Sequence, residues 1–174
     1  MTKRTKMFAD YNAWANRRLY GAASQLPDGD YRCNRGAFFK SVHGTLNHIL
    51  VGDKIWMRRF TGQGDAPSQL DLILHDNLPD LWAARQMEDE RIQAYAAALD
   101  ETALSGRLRF TTIVNPQTLE QDLEPALDHF FNHKTHHRGQ VHCLLTHFLG
   151  NAAVPSLDMI IFQRETGQGG TAAR

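Results

Sequence analysis

The residues best suited to chemistry lie in one stretch, HFFNHKTHHRGQVHCLLTH at 129–147, which holds six of the chain's nine histidines. Imidazole is a metal ligand and a proton carrier near neutral pH, and buried without a partner it is costly. At about 100° per residue, with His133 set at zero, Ala126, Phe130, Val141, Leu144 and Phe148 fall between about 20° and 80°. His137 lies near 40°, at the centre of that stripe, and His133 lies at its edge. Both imidazoles therefore leave the helix on the bundle side, about one turn apart. His142 points the opposite way, and His129, His136 and His147 flank the stripe. The informative spacing is H-x3-H, which lets one cation bridge two imidazole nitrogens.

A third ligand must come from another helix, and His48 is the candidate. On its own wheel Phe39, Ser41, Thr45, Gly52, Ile55 and Arg59 cluster within about 60° of it, whereas His43 points about 140° away. Ser41, Thr45 and Gly52 are small and leave room beside an inward imidazole, as a pocket requires. Arg59 on the same face is a candidate substrate or anion contact.

Three neutral imidazoles would leave a divalent ion its full charge and an open coordination position, the pattern of catalytic zinc. Water bound there would be acidified, or a thiolate would be held as nucleophile. Imidazole ligands alone do not choose between zinc and nickel. No general base stands out: Asp53 lies about 140° from the His48 direction, and Glu124 belongs to a first helical turn. Cys33 and Cys143 show no CxxC spacing and read as free thiols, Cys143 as an inert, partly buried one.

Four long helical patterns must position these side chains. The first runs from Lys6 to Leu26 and stops at Pro27-Asp28-Gly29; the second runs from about Phe38 to Phe60. A third spans about Leu78 to Leu99, with Pro79 tolerable in its first turn. RLRFTTIVNPQTLEQDL at 107–123 carries two β-branched and aromatic runs around Asn115-Pro116, which predicts a small hairpin. The fourth helix spans about Leu123 to Leu149, roughly 40 Å, and Gly150 stops it. VPSLDMIIFQRE then packs back as an extended piece. The expected fold is all-α: a four-helix bundle over 1–166 with a small β-hairpin between the third and fourth helices, followed by a flexible tail at 167–174.

The chain has 174 residues, enough for one domain with a core that needs no disulfide. Its 19 basic and 19 acidic residues cancel, so no global field favours nucleic acid or an anionic membrane. No apolar run reaches the roughly 18–20 residues of a bilayer span, and the N-terminus lacks a signal-peptide h-region, so a soluble cytoplasmic protein is expected.

YNAWANRRLY at 11–20, SVHGTLNHILVGDKIW at 41–56, NHKTHHRGQVH at 132–142 and VPSLDMIIF at 154–162 together give the chain a family look. It resembles the DinB family of damage-inducible-type, YfiT-like metal-binding four-helix bundles, over almost its whole length. The resemblance puts the metal triad on His48, His133 and His137, and implies homodimers and a divalent ion, usually nickel or zinc. It also implies activities that are uneven, including transfer or isomerisation with a low-molecular-weight thiol. The function expected is therefore a metal-dependent enzyme, a hydrolase or thiol-dependent transferase acting on a small molecule. The alternative is a stress-response or binding module with a structural ion.

Overall fold

A computed structural model describes residues 2–169. Its elements are α1 Thr2–Ala23, α2 Asp28–Arg32, α3 Val42–Thr61, α4 Leu78–Ala98, α5 Glu101–Leu104, β1 Arg107–Thr111, β2 Thr118–Asp122, α6 Leu123–Leu149 and α7 Met159–Thr166. The four long helices close a ring: α1 packs on α4 and α6, and α3 packs on the same two. This is the all-α bundle expected, with the hairpin where the sequence placed it, β1 antiparallel to β2 with Arg107 opposite Asp122.

Local chemistry sets the helix ends. Ser41 caps α3 by accepting a hydrogen bond from the Gly44 N–H at 3.1 Å, and Asn77 caps α4 by accepting from the Asp80 N–H at 2.9 Å. Such caps contribute about 1 kcal/mol each. At the other end of α3, Gly62 takes the left-handed conformation, φ 71°, that stops the helix.

The second helix starts at Val42, later than the sequence pattern suggests. Residues 37–40 form a turn instead, with an Ala37–Lys40 bridge and Lys40 at φ 69°. This frees Phe39 from the helix. Residues after Val154 also differ from expectation: Met159–Thr166 is a helix, not an extended strand. Its Phe162 is buried 5.7 Å from the rings of both Tyr11 and Trp14, and Trp14 Nε1 donates to Glu165 Oε2 at 2.7 Å. Of the expected flexible tail, only 167–169 are described, Gly167 closing α7 at φ 70°; 170–174 lie outside the described residues.

Two of the apolar clusters fill most of the bundle interior. One gathers Leu19, Leu46, Leu50, Leu81 and Leu145; the other gathers Ala9, Met57, Ile92, Phe130 and Phe131. Between them lies a buried polar layer with residues from all four long helices. Arg85 pairs with Asp53 at 2.5 Å and Asp89 at 3.1 Å, and Lys134 pairs with Asp53 at 3.2 Å. Asn12 and Asn16 donate to Asp89, and Arg138 donates to Asn12. Buried ions survive only when paired in this way. Among the described residues no helix is long and apolar enough to cross a membrane.

Candidate metal centre

α3 and α6 run antiparallel, so His48 stands level with His137, Gly52 with His133, and Trp56 with His129. The polar layer explains where the histidines sit. The buried stripe of α6 is wider than its apolar residues imply, because Lys134 and Arg138 are 0% and 2% exposed and belong to it. Its centre therefore shifts away from His137, which lies toward the α3 side. His48 and His137 are buried and His133 is half-buried.

The three imidazoles converge, with one ligand atom from each lying within 4.8 Å of the others. His137 Nε2 is 3.2 Å from His48 Nε2 and 3.1 Å from His133 Nε2. Hydrogen bonds on the far side of two rings settle where their protons are. His48 Nδ1 donates to the Leu70 carbonyl oxygen at 2.7 Å, an atom that can only accept. His137 Nδ1 donates to Gln140 Oε1 at 2.9 Å, and the Gln140 amide nitrogen is turned to His136 Nε2 at 3.1 Å. A neutral imidazole protonated at Nδ1 has a bare lone pair at Nε2. His48 and His137 thus present two lone pairs to one another, an arrangement that repels unless a cation or proton lies between them.

Burial keeps these rings neutral. It pushes His48 down to about 4 against the partial opposition of the Leu70 hydrogen bond, and pushes His133 down to about 3 with help from the other two imidazoles. His137 is lowered for the same first reason. The donor set fits a divalent ion: tetrahedral zinc with bonds of about 2.0–2.1 Å sets its nitrogens about 3.3 Å apart, close to the separations seen here. The outward hydrogen bonds to Leu70 and Gln140 are those that orient metal-ligating histidines.

Phe39 stacks on His48 with ring centres 3.6 Å apart and meets the edge of His137 at 5.6 Å, closing one side of the group. Gly52 gives His133 its space. Of the remaining histidines, His129 lies 5.8 Å from the His133 ring and 5.1 Å from Trp56, while His43 leaves the site for the carbonyl oxygen of His75. Arg59 lies roughly 16 Å further along α3 than His48. Its guanidinium is held between Trp56 at 4.6 Å and Phe110 at 4.3 Å and donates to the Thr111 carbonyl oxygen at 3.2 Å. Burial lowers its pKa, and no carboxylate pairs with it among the described residues.

Both cysteines are free thiols, and Cys143 is exposed, not partly buried as its wheel position suggests. Asp53 belongs to the polar layer and does not face the triad as a base. Sequence reasoning grouped Phe39 with His48 but missed Leu70 and Gln140. Gln140 carried a signal, being three residues beyond His137 on one helix face; Leu70 acts through its backbone and carried none. A cavity of about 1100 Å³ lies apart from the triad, on the opposite face of α6.

The fold and this site define a class: an antiparallel helical bundle in which two helices bring three imidazoles to one point, the constitution of a metal-binding bundle. The family model described as DinB family matches residues 1–169, and the chain belongs to that family. It is 26% identical over 156 residues to "Protein DinB" of Bacillus subtilis (strain 168), an alignment covering 84% of this chain and 87% of that protein.

Proposed function

We propose that the chain is a metal-dependent enzyme whose divalent ion, zinc or nickel, is held through Nε2 of His48, His133 and His137. The observation that carries this is the pair of bare nitrogens, His48 Nε2 and His137 Nε2, facing each other at 3.2 Å while both Nδ1 protons are spent on outward acceptors. When bound, the ion supplies Lewis acidity, enough to activate water for hydrolysis or to hold a low-molecular-weight thiol as nucleophile. The chain's own groups do the rest. Leu70 and Gln140 fix the tautomers, Phe39 covers the His48 side, and His133, the least buried of the three, would stand nearest an entering small molecule. Arg59, which pairs with no carboxylate among the described residues, is available to an anionic group of a substrate long enough to extend along α3 from the triad. The cytoplasm, where thiols stay reduced, suits both the free cysteines and a thiol cosubstrate.

One observation favours a second reading. The ligands come from two helices, so an ion would also tie α3 to α6 as a structural clamp in a stress-response or binding module. Chelation separates the two: a clamp predicts a fall of many degrees in melting temperature, a catalytic ion in a prefolded bundle a small one. The primary test is metal analysis of untreated protein, followed by a screen with small thiols and electrophiles. Purified protein without metal that takes up neither zinc nor nickel would refute the proposal.

A further inference from the structure

The chain beyond α6 builds a concavity that the metal centre does not use. Gly150 ends α6, and α7 docks Phe162 against Tyr11 and Trp14 of α1, so that the connecting residues wall the groove between α1 and α6. Tyr11 Oη donates to the Leu157 carbonyl oxygen at 2.7 Å and pins that wall. The cavity of about 1100 Å³ left there has apolar sides from Phe8, Tyr11, Phe131, Val154 and Leu157. Small-molecule sites usually measure roughly 300–1,000 Å³, so the space is ample for one.

Arg138 also lines this cavity, and it is the cation of the polar layer that no carboxylate holds. Asp53 pairs with Arg85 and Lys134, and Asp89 pairs with Arg85, but no carboxylate pairs with Arg138 among the described residues. The pKa directions agree. At Arg85 burial is outweighed by Asp89 and Asp53, which raise it, whereas at Arg138 burial prevails and lowers it. Arg138 is 2% exposed; its Nη1 donates to Asn12 Oδ1, its Nη2 reaches the Thr135 hydroxyl at 3.4 Å, and its Nε has no hydrogen-bond partner. Nε–H and the neighbouring Nη2–H form one edge of the guanidinium, the fork that a carboxylate meets with two parallel hydrogen bonds. Thr135 is exposed and lines the cavity, so that edge lies toward the cavity behind the Thr135 hydroxyl. A second buried atom without a partner, Thr146 Oγ1, belongs to the same lining. Native structures rarely leave such atoms unpaired.

We propose that this cavity binds an amphipathic monocarboxylate, with the carboxylate on the Nε–Nη2 edge of Arg138 in place of the Thr135 hydroxyl and the apolar body along Phe8, Phe131, Val154 and Leu157. One unpaired guanidinium balances one negative charge, which favours a carboxylate over a phosphate dianion. The other charges of the lining agree: Arg4 is paired with Asp128 at 3.2 Å, and Asp158, at the N-cap of α7, would oppose a second negative charge. The site lies on the face of α6 opposite the triad, so its occupancy does not depend on the metal.

Calorimetric titration of the full chain with decanoate tests this, on protein stripped with a chelator so that no carboxylate is read at the triad. Wild type is expected to take one decanoate per chain and to bind decanol at least about 10-fold more weakly, the scale of hydrogen bonds to a charged group. Arg138→Gln breaks no ion pair, and it is expected to weaken decanoate at least about 10-fold while leaving decanol unchanged. If that variant loses helicity, Gly139→Trp takes its place. Gly139 is exposed and lines the cavity, and a Cβ there would meet nothing within 4 Å, so an indole at this position fills the groove without touching the polar layer. It is expected to bind neither compound and to keep its helical circular dichroism. The proposal is overturned if wild type shows no saturable decanoate binding, as would follow if another protein surface covers the groove. It is also overturned if decanol binds as tightly as decanoate, or if a folded variant binds decanoate undiminished.

Discussion

Gly52 and His133 are matched across the α3–α6 interface: a Cβ on residue 52 would stand 3.3 Å from His133 Cε1 and 3.7 Å from its Nδ1. The glycine weakens its helix by about 1 kcal/mol relative to alanine, so the site, not the helix, needs it. Gly52→Ala should leave the metal-free protein at least as stable as wild type while crowding the imidazole by a few tenths of an ångström. Gly52→Val should displace it and weaken zinc binding at least about 10-fold, the scale of effects on ligand orientation. Thermal melts of metal-free protein and competition with a chelator measure both; unchanged affinity in Gly52→Val would remove Gly52 from the site.

Gln140 orients His137 without touching the proposed ion. Gln140→Leu keeps the volume but removes the acceptor for Nδ1–H at 2.9 Å, freeing the ring to rotate and to shift its proton to Nε2. Zinc affinity should fall about 10–100-fold with little change in fold. Gln140→Glu keeps an acceptor and should recover most of the loss, a rescue that a packing effect would not show.

The ligands themselves should behave as a unit. His48→Ala, His133→Ala and His137→Ala should each take bound zinc from about one ion per chain toward none, since two imidazoles do not close a site. His142→Ala, on the opposite face of α6, should bind as wild type does. Elemental analysis after dialysis gives the counts, and full occupancy in His137→Ala would end the metal proposal.

Much of this was legible from periodicity. α6 has the ends that its pattern predicts, Leu123 and Leu149, and the three histidines singled out by helical wheels do converge. What escaped was of two kinds. Asp53, Lys134 and Arg138 are charged residues on buried faces, and a reading that counts only apolar side chains as core makes the stripe too narrow and sets His137 at its centre. The Leu70 carbonyl acts from a loop, where no period exists to reveal position, and Phe39 reaches His48 from a turn, not from the helix whose wheel grouped the two. α7 failed for a third reason: eight residues are too few for a helical pattern to stand out, and tertiary packing of Phe162 on Tyr11 and Trp14 supports it.

The triad should make metal-free protein acid-sensitive before its carboxylates titrate. In the unfolded chain His48 and His133 take up protons as pH falls through about 6.5, whereas in the fold they do so only near 4 and 3. Between those limits the unfolded state binds more protons, so stability rises with pH there. Their contribution is fully present above about pH 6.5 and is lost progressively as pH falls toward the folded values. Urea midpoints of metal-free protein should therefore drop between about pH 6.5 and 5, and the drop should shrink in a His48→Gln, His133→Gln variant. An identical drop in that variant would place the acid sensitivity elsewhere.

The polar layer should respond to charge balance more than to hydrogen-bond number. Asp53 and Asp89 face three cations, Arg85, Lys134 and Arg138, and Lys134 Nζ lies 3.2 Å from Asp53 and 3.2 Å from the centre of the Phe130 ring. Burial among these groups pushes the Lys134 ammonium down to about 7, a sign that its charge is only just supported. Asp53→Ala would remove the carboxylate that holds both Arg85 and Lys134 and should cost about 3–5 kcal/mol, the penalty for orphaning a buried ion. Lys134→Met leaves two of each sign, since Arg85 still holds Asp53 at 2.5 Å, and fills the space with an apolar chain of similar length. Its effect should be within about 1 kcal/mol of neutral or stabilising, as for other buried pairs replaced by hydrophobic groups. Urea denaturation of the two variants at neutral pH gives the comparison. Equal losses in the two variants would refute this expectation.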